Sequence, residues 1–180
     1  MEFFAMHPQD RADFRRLAVE YYRDGEDAGT PLETITAFID SLFELVLAGT
    51  IGGCLAVEEE HAVGFALFGM DTEDFPFSQM PGLGTILEIG LTPASRGVGQ
   101  GKALVRSIED RLRELGAEKC YVSAYGPAQG FWTRCGYEKT EQTAQNGLPI
   151  FVKNIGYQHR PRSIDRGRFS CENAVCRGDH

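Results

Sequence analysis

No apolar run in this 180-residue chain reaches the roughly 20 residues that a membrane-spanning helix requires. The opening Met1-Glu2-Phe3-Phe4 has neither the basic start nor the long apolar core of a secretory signal, so a cytoplasmic location and no membrane partner are expected. Cysteine is too sparse for a disulfide framework: there are five, an odd number without framework spacing, which favours a reducing compartment. Cys54, Cys120 and Cys135 sit among apolar neighbours and read as small core residues. Metal ligands are equally short. Cys171-x4-Cys176-x3-His180 matches no strong zinc spacing and lacks a fourth ligand, so no metal is expected. Positive charge is scarce too, with 18 Lys and Arg against 26 Asp and Glu. The net charge of −8 argues against a nucleic-acid duplex and suits a cationic amine.

What is present fits one folded domain. Hydrophobic residues at 42% and charged residues at 24% suffice for a core without disulfide or metal support. Residues 156–180 differ, with five arginines against three acidic residues and little aliphatic periodicity. They read as a flexible basic tail outside a domain of residues 1–155. Their net +2 leaves −10 on that domain, and their arginines offer nucleic acid as another reading that the overall charge opposes.

Along the domain, Phe3 to Met6 reads as a short strand and Pro8-Gln9 as the opening of a helix. Phe14, Leu17, Ala18, Tyr21 and Tyr22 recur at helical spacing on its buried face. Thr30-Pro31-Leu32-Glu33 predicts a capping box at the start of a second helix, whose apolar face runs from Ile35 to Leu47. Ile51 to Val57 and Ala62 to Gly69 are strand-length apolar runs around Glu58-Glu59-Glu60-His61, a hairpin. Asp71 to Gly84 is a loop, and Thr85 to Leu91 a strand that Pro93 ends. Leu104, Val105, Ile108, Leu112 and Leu115 mark a helix whose Glu109 and Arg113 are expected to pair on the solvent side before Gly116 caps it. Lys119 to Ala124 is a strand and Ala128 to Arg134 a short helix. Tyr137 to Thr140 and Pro149 to Lys153 are late strands around the Asn146-Gly147 turn.

Between strand and helix lies Arg96-Gly97-Val98-Gly99-Gln100-Gly101. Glycine removes side chains that would screen backbone N–H groups, and the following helix adds the positive end of its dipole, so a phosphate-like oxyanion is the expected ligand. Spacing separates the known glycine-rich sites. A P-loop needs four residues between its glycines and Ser or Thr after the lysine, whereas three residues separate Gly97 from Gly101 and Ala103 follows Lys102. A dinucleotide fingerprint needs a third glycine three positions after the second and a later acidic residue at a strand end. Gly101 comes two positions after Gly99, and the strand near Tyr121 ends in Ser123-Ala124.

The remaining pattern, Arg96-x-x-Gly99-x-Gly101 after Ile89-Gly90-Leu91-Thr92-Pro93, resembles motif A of the GNAT superfamily of acyl-CoA N-acyltransferases. Ala128-x-x-Phe131-Trp132-x-x-x-Gly136-Tyr137 resembles that family's next helix and its glycine–aromatic exit. The resemblance covers roughly residues 3 to 154 and implies an α+β, α/β/α layered fold, with a mixed sheet of six to seven strands and about four helices. It implies acetyl-CoA as co-substrate, with its pyrophosphate on the backbone of Gly97, Val98, Gly99, Gln100, Gly101 and Lys102, and Arg96 near the entry. The pantetheine arm would lie along Ile89, Gly90 and Leu91, with Tyr125 and Trp132 also near the cofactor. The implied activity is acetyl transfer by direct attack of a primary amine, on a small molecule or on a peptide or protein, and a homodimer is common among similar proteins.

Direct transfer needs a base for the ammonium, polarisation of the carbonyl and a proton for the thiolate. Glu88 is the expected base, as the only ionisable side chain of the motif strand; its other reading is a residue on a solvated face. The family's frequent acid is a tyrosine where this chain has Trp132, and an indole donates hydrogen bonds without serving as an acid. Trp132 is therefore expected to pack on the pantetheine or line the acceptor site. Tyr125, with Tyr137 as an alternative, takes the expected acid role, unless the thiolate leaves unassisted. The same departure opens a different class of function, a module that binds acyl-CoA without transfer.

Overall fold

A computed structural model describes residues 1–24 and 29–156. The expected basic tail, apart from Gly156, and the cysteine–histidine cluster within it lie outside the described residues, so only the domain is followed below. Its strands are β1 (Glu2–Ala5), β2 (Gly52–Glu58), β3 (His61–Met70), β4 (Gly84–Leu91), β5 (Lys119–Ser123), β6 (Glu138–Thr143) and β7 (Pro149–Asn154). The helices are α1 (Arg11–Asp24), α2 (Leu32–Leu47), α3 (Gln100–Glu114) and α4 (Gln129–Arg134). One mixed sheet runs in the order β1-β2-β3-β4-β5-β7-β6, antiparallel except where β4 lies parallel to β5.

The centre of that sheet follows from β3, whose residues from Phe65 to Gly69 are buried on both faces. Its alternation sends Phe65 and Leu67 into a core with Phe14, Ile39 and Phe43 of α1 and α2. Ala66 and Phe68 go to the opposite core, with Leu104, Ile108 and Leu112 of α3 and with Trp132 of α4. The layered architecture expected from the sequence is therefore present, and the two helical layers meet the sheet from opposite sides.

Two local expectations are corrected. At α2, Pro31 occupies the cap position and no side chain caps the helix; its carbonyl accepts the first helical bond, from Ile35 N–H at 3.1 Å. Thr30 is thus one residue too far out to form the capping box. On α3, Glu109 is buried rather than solvated, and the Lys153 ammonium of β7 donates to both its carboxylate oxygens at 2.7 and 2.8 Å. Arg113 instead bonds the Asp110 carboxylate and the Ile155 carbonyl. Leu115 is 59% exposed because it is already the C-cap, where the helical repeat no longer aims side chains at the sheet.

The β2–β3 hairpin closes through Glu59 and Glu60, both with positive φ (49° and 66°). Such a two-residue turn suits Asn-Gly, whereas each L-residue with a full side chain is strained by roughly 1–2 kcal/mol. Glu59→Asn combined with Glu60→Gly is expected to stabilise the fold by about 1 kcal/mol after the entropy of the new glycine is deducted. Thermal unfolding checks this, with a rise in midpoint of roughly 2–4 °C expected.

Candidate active site

The site begins with a strand that loses its partner. Among the described residues β4 pairs with β3 from Gly84 to Leu91, but its parallel ladder to β5 comprises only Gly84 with Cys120 and Thr85 with Tyr121. A bulge causes the divergence: Leu67 of β3 faces Glu88 and Phe68 faces Ile86, leaving Leu87 as the extra residue. Beyond Thr85 the two strands splay into a slot.

The ladder phase shows which peptide groups face that slot. Thr92 N–H bonds the Val63 carbonyl at 2.8 Å, so in the alternating antiparallel pattern Gly90 and Glu88 turn their peptide groups to β3. Ile89 and Leu91 turn theirs outward, towards β5, as the Arg96 Nε–H donating to the Leu91 carbonyl at 2.9 Å confirms. Gly90 has a packing reason of its own, since a Cβ there would stand 2.7 Å from the Phe65 ring and 3.2 Å from Tyr21.

At the end of β4 a short 3-10 turn, Pro93–Ser95, leads into the glycine turn. Gly97 and Gly99 have φ of 84° and 87°, and nothing lies within 4 Å of a Cβ built on either. Gly99 is the N-cap of α3 and supplies no side-chain cap, so the helix presents its first N–H groups unscreened. Val98 and Lys102 are exposed here, while Gln100 is turned away, its amide donating to Glu58 of β2 at 3.1 Å. Arg96, besides its bond to Leu91, approaches Asp24 at the end of α1 within 3.8 Å and so spans the turn and the first helix. An oxyanion at this turn would meet backbone donors and a helix dipole.

The bulge also turns a carboxylate. Leu87 packs into the α1/α2 core, and Glu88, the next residue, lies on the same side, where its Oε1 accepts the Tyr22 hydroxyl at 2.9 Å. Tyr22 is buried, its ring edge-on to Tyr21 at 5.2 Å and to Phe38 of α2 at 5.8 Å. The sequence marks Tyr22 only as a core-face residue; nothing in it signals the long-range bond to Glu88.

The aromatic residues divide differently from the expectation. Tyr125 is 41% exposed, two residues past the end of β5 and ahead of the 3-10 turn Gly126–Ala128. Trp132 is 5% exposed and packs edge-on between Phe131 and Tyr137, each at 5.1 Å, inside the α3/α4 core. Its neighbour Phe131 is the ring that closes on the turn, 3.1 Å from a Cβ placed on Gly101. Tyr137 is buried, and burial first, then the nearby Cys120 and Glu109, pushes its phenol well above the ordinary tyrosine value. A phenol so held is a poor proton donor, which leaves Tyr125 as the exposed hydroxyl of the two. The thiols of Cys120 and Cys54 are pushed up by burial to about 12 and about 11, although Cys120 is buried and Cys54 only half-buried.

Among the described residues no group of three His, Cys, Asp or Glu side chains could hold a metal ion. No described helix is long and apolar enough to cross a membrane.

Comparison with known proteins bears on the fold and the family. A search of curated protein sequences gives no match. The PaiA N-acetyltransferase of Thermoplasma acidophilum, solved with coenzyme A, superposes with a TM-score of 0.65 at 14% identity, over 86% of this chain and 99% of that one. A GNAT family acetyltransferase of Brucella melitensis, solved with acetyl-CoA, gives 0.60 at 18% identity, over 87% and 88%. The ribosomal-protein-alanine N-acetyltransferase of the same organism gives 0.64 at 16% identity, over 86% and 99%. These structures share the fold, and the family model "Acetyltransferase (GNAT) family" matches residues 11–137, the span from α1 through the glycine turn to the end of α4. The chain belongs to the GNAT acetyltransferase family.

Proposed function

We propose that this protein transfers an acetyl group from acetyl-CoA to a primary amine, of a small molecule or of a peptide or protein, by direct attack. The observation that carries the reading is the order of these groups along one stretch of backbone. Unscreened N–H groups at Gly97 to Lys102 lead into the slot edged by the outward peptide groups of Ile89 and Leu91, and Glu88 stands on the adjoining strand residue. The residues fit the cofactor's parts in that order: a pyrophosphate on the turn, and an extended amide-bearing arm added along an open strand edge. Solved family members that hold coenzyme A or acetyl-CoA support the same assignment.

Bound acetyl-CoA supplies a thioester, whose carbonyl carbon bonds to the amine nitrogen as the carbon–sulfur bond breaks. Glu88 takes the ammonium proton, directly or through one water, so that the nitrogen lone pair is free to attack. The Tyr22 hydroxyl holds the Glu88 carboxylate in place on the α1/α2 side of the strand, the side from which the amine arrives. Backbone N–H groups along β4 polarise the carbonyl. Tyr125 donates a proton to the departing thiolate, with water as the alternative donor, and the second N–H proton, which the nitrogen sheds once it has bonded to the carbonyl carbon, passes through water to restore the phenol.

Trp132 in place of the family tyrosine favours a second reading, a module that binds acyl-CoA and transfers nothing. Coenzyme A titration by calorimetry, paired with thiol release from acetyl-CoA in the presence of spermidine, tyramine and an alanine-initiated peptide, separates the two. Binding with thiol release supports transfer; binding without release on a broad amine panel supports the second reading. The same titration tests the turn. Gly99→Val forces a β-branched residue at positive φ, so the turn must relax, and the coenzyme A Kd is expected to rise about 10-fold or more. An unchanged Kd would take the glycine turn out of the site.

A further inference from the structure

The loop between β3 and β4 is organised by one buried carboxylate that the chemistry above leaves unused. Asp71 is 0% exposed, yet its Oδ2 accepts three hydrogen bonds: from the N–H of Gln79 at 2.8 Å, the N–H of Met80 at 2.7 Å and the Tyr121 hydroxyl of β5 at 2.7 Å. Its main chain closes the same loop, N–H to the Leu83 carbonyl at 2.8 Å and carbonyl from the Gly82 N–H at 2.6 Å. Burial raises the Asp71 pKa, and the hydrogen bonds of Ser78, Gln79, Tyr121 and Met80 outweigh it, so the carboxyl is held below its ordinary value and stays ionised.

The loop that Asp71 closes joins two regions of the same sheet face. Its first half delivers Phe75 and Phe77 to the α1/α2 core, the core that Leu87 of the bulge also joins. Its second half delivers Met80 and Leu83 to a separate cluster over β5 and β7. From there Gln79 reaches further, its Oε1 accepting the N–H of Gln145 in the β6–β7 turn at 2.8 Å. A chain of bonds therefore runs from Tyr121 through Asp71 and Gln79 to Gln145, around the sheet face on which Glu88 lies. Hydrogen bonds to an ionised acceptor are roughly twice as strong as neutral ones, so the charge of Asp71 fixes this arrangement more tightly than an amide would.

We infer that Asp71 is a positioning residue for the amine acceptor: through Tyr121 and Gln79 it locks the β3–β4 loop to the β6–β7 turn as one wall of the acceptor site. This rests on the acetyltransferase reading. The wall stands on the sheet face that carries Glu88, opposite the α3 layer that the glycine turn opens, so loosening it is expected to weaken acceptor binding and spare the cofactor.

The test uses the full chain and whichever of spermidine, tyramine and the alanine-initiated peptide is acetylated. Asp71→Asn is expected to raise the acceptor KM roughly 5- to 10-fold, with KM for acetyl-CoA and the coenzyme A Kd unchanged within about twofold. Gln79→Ala, which removes the link to Gln145 and a long 3.5 Å bond to the Phe77 carbonyl but keeps the Gln79 N–H on Asp71, shifts acceptor KM in the same direction and carries the test if Asp71→Asn fails to fold. Equal losses for both substrates, or a fall in kcat alone, overturn the inference. Hydrogen exchange keeps it separate from the reading beneath it. If the wild type binds coenzyme A but acetylates no amine, the acetyltransferase reading fails, and with it the acceptor role. The lock itself is then judged by exchange in Asp71→Asn, which must accelerate together in residues 72–83 and 143–149 and stay unchanged in residues 96–105. Acceleration confined to residues 72–83 overturns the lock.

Discussion

Glu88→Gln is expected to lower kcat for acetyl transfer by about 100-fold or more at neutral pH, with coenzyme A affinity unchanged. Glutamine keeps the length of the side chain and an oxygen that accepts the Tyr22 hydroxyl, so the geometry between α1 and β4 survives and only basicity is removed. Glu88 lies on the α1/α2 side of the strand and its peptide groups face β3, so neither the slot edge at Ile89 and Leu91 nor the glycine turn is altered. The pH dependence then discriminates. A primary amine of the lysine type loses its own proton near pH 10, where no base is needed, so the deficit of the variant should shrink steeply as pH rises towards that value. A constant deficit across pH would mean that Glu88 positions the substrate without taking its proton. Full activity at pH 7 would remove it from the mechanism.

How far such a site can be read before folding depends on the range of the interaction concerned. The glycine turn was legible because its chemistry is local: Gly97 and Gly99 adopt the positive φ that only glycine takes freely, and α3 follows at once. The strand β3 was legible as an apolar run, and the layered fold with a mixed sheet of six to seven strands and about four helices was what the family resemblance of the motifs implied. The bulge at Leu87, which opens the slot and sets Glu88 towards Tyr22, has no local signature, since Ile86-Leu87-Glu88-Ile89 reads as ordinary strand. Asp71 illustrates the same boundary. In the sequence it is one of three acids in a polar loop, and only the arrival of Tyr121 from 50 residues away makes it a buried hub. Trp132 and Phe131 show how one residue of helical phase decides which ring enters the core and which meets the turn. Periodicity places a residue on a face; it does not say what another part of the chain will bring to that face.

Glu109 is the case with the largest consequence for stability. Four residues after Val105 and four before Arg113, it sits at the border of the apolar stripe of α3, where a helical pair with Arg113 was the local expectation. The sheet brings Lys153 there instead, with its ammonium on both carboxylate oxygens and 5.5 Å from the centre of the Tyr137 ring. The two partners differ in their access to water, since the Glu109 side chain is 3% exposed and that of Lys153 is 24% exposed. Removing the lysine therefore strands a buried carboxylate, whereas removing the glutamate leaves an ammonium whose flexible stem can carry it to solvent. Lys153→Met keeps the apolar stem over Tyr137 and is expected to destabilise the fold by about 3–5 kcal/mol, a fall in thermal midpoint of roughly 10 °C for a domain of this size. Glu109→Leu should be clearly milder, and the double variant Glu109→Leu with Lys153→Met should recover most of the loss, because an apolar pair of similar volume pays no desolvation. Chemical unfolding of the four proteins closes the cycle. Equal losses from the two single changes would show that the carboxylate has water within reach and that the asymmetry in burial does not govern the pair.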